Sequence, residues 1–225
     1  ITTKFLRDLR HTMDEVFIDN FFVHFAKVAN DMGAEVYTEG AGGEVLPIDP
    51  MRYYGVSDVP MTEFWYPKAP SAQNEYAKPI YSAASATHLY NKPVLAAEAC
   101  TQIGVKWNEH PFSFKYLLDY NFANGVNHLV FHTFSQTPQT DVYPGSSFGG
   151  HIGFPLVREQ TWWPYMKDRT DYLSRNQFVL QQGEYVADVL RYYGDHFERP
   201  PFDLDYFPKG YRFDYLNAEI LQEKL

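Results

Sequence analysis

Asp58-Val59-Pro60-Met61-Thr62-Glu63-Phe64-Trp65 is the stretch on which the fold turns. It reads as a short strand with one carboxylate near its C-terminal end and two aromatics directly after it. Pro93-Val94-Leu95-Ala96-Ala97-Glu98-Ala99-Cys100 repeats the arrangement, and a helix-like segment lies between the two. Burying an unpaired carboxylate costs several kcal/mol, roughly, so an acid at such a place is paired or used. Two acids at matching ends of neighbouring parallel strands point into one pocket, as paired catalytic carboxylates do.

Working outward, residues 11–32 read as an amphipathic helix, with Thr12 and Glu15 as a capping box and Gly33 as the stop. Ala34–Thr38 reads as a strand with Glu39 at its tip, ahead of the glycines at 40, 42 and 43. That glycine run lacks the Gly-Lys-Ser/Thr ending of a phosphate loop. A helical turn is expected near Pro50–Tyr54, then the strand 58–65, a helix over 75–90 and the strand 93–99. Next come a helix over 113–124 closed by Gly125, a fourth strand over 126–132, a long loop over 134–161, and a helix over 163–182. Alternating strands and helices imply an α/β fold with a parallel sheet. An open nucleotide-binding sheet would show a glycine fingerprint after its first strand, and there is none. Acids on successive strand ends suit a (β/α)8 barrel better. Four strands are half of one, so residues 1–184 are expected to be the second half of a TIM-type barrel whose first half lies upstream. Residues 185–225 change character: a strand over 185–193, a linker at 199–202 and a helix starting at 217 suggest the opening of a following α/β domain.

The chain has 225 residues, 45% of them hydrophobic and 21% charged, which permits a sizeable core and excludes a disordered class. Net charge is −9 and no Lys/Arg cluster occurs, so no nucleic acid and no membrane surface is expected as a partner. Aromatics reach 18%, a share that suits sugar clefts, where rings stack on the apolar face of a pyranose. The single cysteine, Cys100, rules out an internal disulfide and leaves the redox compartment open. No apolar run is long enough to span a bilayer.

Several pieces in order are similar to one family. They are Val59–Trp65, Ala84-Ser85-Ala86-Thr87-His88-Leu89-Tyr90, Ala97-Glu98-Ala99-Cys100-Thr101, Gly125-Val126-Asn127 with His132-Thr133-Phe134, Thr161-Trp162-Trp163, Gln182-Gly183 and Val186-Ala187-Asp188. Through them the sequence resembles the glycoside hydrolase 106 group of bacterial α-L-rhamnosidases along nearly its whole length. The resemblance implies a (β/α)8 catalytic barrel in a large multidomain exo-enzyme that inverts configuration, with its general acid on an earlier strand. It casts Glu63 and Glu98 as active-site carboxylates, best suited to the general-base role. It implies a carbohydrate substrate, the remaining domains of the parent chain as partners, and a periplasmic or secreted location. Two positions depart from the family pattern: Ser135-Gln136-Thr137-Pro138, and Cys100, where an aromatic is common.

Each candidate has a structural alternative. For Glu63 and Glu98 it is an ion pair with an arginine such as Arg158. Glu39 reads as a holder of sugar hydroxyls or a metal, or as a turn-stabilising acid. His132 ends a strand at pocket depth and suits a sugar hydroxyl; a core histidine is the alternative. His88 reads as helix packing and His128 as buried mid-strand. Trp65 and Trp162 are expected sugar platforms, with Trp163 in the core. No His/Cys/Asp set has zinc spacing, and no cofactor is required; Ca²⁺ fits carboxylates and carbonyls, though nothing in the spacing demands it. Gly145-Ser146-Ser147-Phe148-Gly149 is out of register for a nucleophile elbow. Alternatives at the level of function are a retaining, β-galactosidase-like barrel glycosidase and a non-catalytic carbohydrate-binding relative.

Overall fold

A computed structural model describes residues 2–40, 48–66, 78–149, 151–194, 208 and 210–223. The fold is α/β. Four parallel strands form one sheet in the order β1-β2-β3-β4: Tyr37–Glu39, Val59–Trp65, Ala96–Thr101 and His128–Phe131. Spatial order follows chain order, as it does when each strand is laid beside the last after a helical crossover. Helices α3 (Pro50–Val56), α4 (Lys78–Leu89) and α5 (Lys115–Ala123) supply those crossovers, and α6 (Met166–Leu180) follows β4. Among the described residues the sheet is open, with β1 and β4 at its edges.

The two faces of the sheet differ because strand side chains alternate. Phe64, Ala97 and Ala99 share one face and join Met51, Tyr54, Ala83, Leu118 and Phe122 from α3, α4 and α5 in the buried core. Small residues on β3 and α4 let the helices sit close. Glu63 and Glu98 face the other way, on the side the core does not fill. Their register is direct: Glu63 stands opposite Glu98, while Glu39 stands opposite Met61.

Polar ties fix where the strands begin. The Asp58 carboxylate accepts from the Val36 amide and the Asn30 side chain, both at 2.8 Å, which locks the start of β1 to that of β2. The Asn127 side chain accepts from the Leu95 amide at 2.9 Å and donates to the Pro93 carbonyl at 3.1 Å, doing the same for β3 and β4. Each bond satisfies a backbone group that the ladder does not reach.

Helix α1 runs from Thr2 to Phe17 and passes through a π-helical stretch, Ile18–Val23, into α2 (His24–Asp31). The expected capping box is absent: Thr12 lies inside the helix and its hydroxyl donates to the Asp8 carbonyl at 3.0 Å. Nothing in residues 2–11 breaks a helix, so the helix continues back past Thr12. Gly33, at φ +79°, ends α2 as expected. Phe5, Met13, Val16, Phe21 and Phe25 are all exposed along α1 and its continuation.

The C-terminal stretch adds a two-stranded parallel sheet, β5 (Val189–Tyr192) with β6 (Phe213–Leu216), and helix α7 (Ala218–Glu223). The strand β6 was not expected. It packs on α4, and Tyr215, Leu216 and Ile220 belong to the same buried core as the four-stranded sheet. The linker expected at 199–202 lies outside the described residues.

Candidate active site

Three acids meet on the open face of the sheet. Glu39, Glu63 and Glu98 each place a carboxylate oxygen so that the three oxygens lie within 4.8 Å of one another. The backbone dictates this. Neighbouring parallel strands lie about 4.8 Å apart, and the register puts all three side chains in the same alternation phase.

Each acid has its own surroundings. Glu63 is 5% exposed and Glu98 is more open to solvent. Glu98 accepts a short hydrogen bond from the Thr101 hydroxyl, and its Oε1 lies 3.8 Å from His132 Nδ1. Glu39 ends β1, and its backbone carbonyl accepts from the Tyr53 hydroxyl at 2.8 Å. Burial, and then the charges of Glu98 and Glu63, push the Glu39 carboxyl up to about 7 from its ordinary 4.5. Three clustered acids with the proton affinity of one so raised form a strongly negative spot. Their oxygens are hard donors of the kind Ca²⁺ selects, so Glu39, Glu63 and Glu98 would hold such a cation and it would relieve their mutual repulsion.

The other expected residues divide. His132 follows β4 and reaches Glu98; its Nδ1 is buried and no hydrogen-bond partner meets it among the described residues. Trp65 ends β2, in the same phase as Glu63. Trp162 is anchored: its ring stacks on Phe154 at 5.4 Å and its indole N–H donates to the Glu109 carbonyl at 3.0 Å. Trp163 packs against the core, as expected. Arg158 pairs with Glu159 at 2.9 Å and donates to the Thr137 carbonyl at 2.6 Å, so it is not the structural partner of Glu63 or Glu98. His88 makes a long-range contact with Asp214, at 2.9 Å, and stacks on Tyr185. His128 opens β4 half-buried, because β4 is an edge strand. Burial pushes the Cys100 thiol well up, so it stays protonated and is no nucleophile.

Thr101 was missed as a neighbour of Glu98. In an unbroken strand, residues 98 and 101 point to opposite faces, and nothing in the composition signals otherwise.

Comparison with known proteins follows from this geometry. The family model for alpha-L-rhamnosidase, glycoside hydrolase family 106, matches residues 1–225. A protein of Formosa agariphila named "Putative beta-glucuronidase" is 34% identical over 224 residues, covering 99% of this chain and 18% of that protein. The solved structure of a rhamnosidase from Novosphingobium sp. PP1Y superposes with a TM-score of 0.85 at 29% identity, covering 97% of this chain and 21% of that one. The chain thus spans about a fifth of the length of these relatives.

Proposed function

This chain belongs to the alpha-L-rhamnosidase family of glycoside hydrolases, and we propose that it supplies the base side of the active site of an exo-acting, inverting α-L-rhamnosidase. The four parallel strands then form the second half of a (β/α)8 barrel over residues 1–184, and 185–225 leads into a following α/β domain. The remaining domains of the parent chain complete the barrel and carry the general acid, in a periplasmic or secreted enzyme that takes complex plant or other glycans.

One observation carries the proposal: three carboxylates side by side on one sheet face, oxygens within 4.8 Å. An inverting pair flanks both sugar and water and stands roughly 6.5–9.5 Å apart. These acids are too close to be such a pair with one another, so they serve a single side of the reaction. Glu98, the more solvent-accessible of the strand pair, takes the proton from the attacking water. Glu63 beside it fixes that water, and Glu39 holds sugar hydroxyls or, with the other two, a Ca²⁺ that would neutralise the site and grip hydroxyl oxygens. His132 and Trp65 border the sugar, the one by hydrogen bonding and the other by stacking; Trp162 offers its remaining ring face at the rim.

A second reading has a specific observation in its favour. Retaining enzymes hold nucleophile and acid about 5–5.5 Å apart, near the spacing here, and the Formosa relative's name points to a different glycoside. The deciding experiment assays the full-length protein on 4-nitrophenyl α-L-rhamnopyranoside beside other aryl glycosides, β-glucuronide included. Product anomers are followed by NMR, and Glu63→Gln and Glu98→Gln run in parallel. The proposal expects rhamnoside cleavage, a first-formed β-anomer, and losses of about a hundredfold or more in each variant. A first-formed α-anomer selects the retaining reading, and wild-type rates in both variants remove the acids from catalysis.

A further inference from the structure

The ladder between β2 and β3 breaks once. Phe64 stands opposite Ala99, but Trp65 stands opposite Thr101, so Cys100 is an extra residue on β3. Its φ is +68°, in the left-handed region that side-chain-bearing residues seldom adopt. An extra residue of this kind is a β-bulge, and a bulge re-aims whatever follows it.

Here the re-aiming has a defined result. Counted by twos from Glu98, Cys100 belongs on the acid-bearing face and Thr101 on the helix-covered one. The bulge reverses both. Cys100 turns in among Phe114, Leu118, Phe131 and Leu173 beneath the helices. Thr101 takes the phase of Trp65, which is that of Glu63, and its hydroxyl donates to Glu98 Oε1. Thr101 is itself only 2% exposed, so its hydroxyl is held by packing rather than by solvent.

We infer that Thr101 is the positioning residue for Glu98, and that the Cys100 bulge exists to deliver it. This rests on the role proposed for Glu98. The last torsion of a glutamate is broad and nearly two-fold, so a free carboxylate samples many orientations. A hydrogen bond from a buried, fixed donor selects one of them and aims the other oxygen at a constant point. Thr101 touches neither sugar nor water and acts only through Glu98.

The test uses the full-length enzyme on 4-nitrophenyl α-L-rhamnopyranoside. Thr101→Val keeps the shape and removes the donor; Thr101→Ser keeps the donor. Thermal melts followed by circular dichroism accompany both, and Thr101→Ala carries the comparison where the valine variant does not fold. The expected result is a fall in kcat of about ten- to a hundredfold for Thr101→Val, the scale of a hydrogen bond to a charged group, with KM nearly unchanged. Thr101→Ser restores most of kcat, and Thr101→Val added to Glu98→Gln causes no further loss, because the hydroxyl has nothing left to position. Wild-type kcat in Thr101→Val alongside a crippled Glu98→Gln overturns the inference and spares the proposed function. Equal losses in the valine and serine variants overturn it too, by making the role steric. Wild-type kcat in Glu98→Gln overturns the role of Glu98, and this inference with it.

Discussion

Glu39 is the residue whose chemistry a pH series reads most directly. Its carboxyl sits at about 7 in the folded protein against an ordinary 4.5. The raised value belongs to the folded state, so the neutral acid is the form that folding favours. The stability it contributes is whole below pH 4.5 and is lost as pH rises through about 7. In EDTA, the wild type is therefore expected to lose melting temperature across that window, and Glu39→Gln to lose less of it. Added Ca²⁺ needs the ionised acid. It should raise the melting temperature more at pH 8 than at pH 5, and the gain should vanish in Glu39→Gln. Equal Ca²⁺ effects at both pH values would remove these acids from cation binding.

At the scale of elements, the joint between the sheet and the C-terminal stretch turns on Asp49. It caps α3, accepting from the Met51 amide at 2.8 Å, and also accepts from the Tyr193 hydroxyl at 2.5 Å and the Asn217 side chain at 2.7 Å. Asp49→Ala removes a cap and strands buried donors from β6–α7 and the end of β5. It is expected to cost about 2 kcal/mol or more in urea unfolding. The elements differ in how legible they were. Strands β2 and β3 declared themselves through short apolar runs bounded by turns, and their acids stood out because a carboxylate in such a run demands a reason. The N-terminal half of α1 did not, since a helix without a breaker carries no start signal; nor did β6, whose Asp214 argues against a buried strand until His88, far away in sequence, is seen to meet it at 2.9 Å. Of the site, Glu39, Glu63, Glu98 and His132 could be read from strand-end positions. Thr101 could not, because its facing depends on a change of register that alternation alone denies.

Across the whole molecule, one side is finished and the other is not. The helix-covered face of the sheet is packed, while the acid-bearing face, the β1 and β4 edges and the apolar flank of α1 are open among the described residues. Unpaired strand edges invite pairing with other chains. Residues 1–225 expressed alone are expected to self-associate in size-exclusion chromatography and to hydrolyse aryl rhamnoside poorly; a monomeric, fully active fragment would contradict both the half-barrel reading and an acid supplied from elsewhere. No helix among the described residues is long and apolar enough to cross a membrane. The bulge at Cys100 bears on how such proteins are compared and redesigned. It works as a one-residue frameshift in the strand's inside–outside reading, so deleting Cys100 should do more harm than any substitution there. The deletion would swing the Thr101 hydroxyl into the oily layer beneath the helices and leave Glu98 without its guide, though every chemically active side chain would still be present.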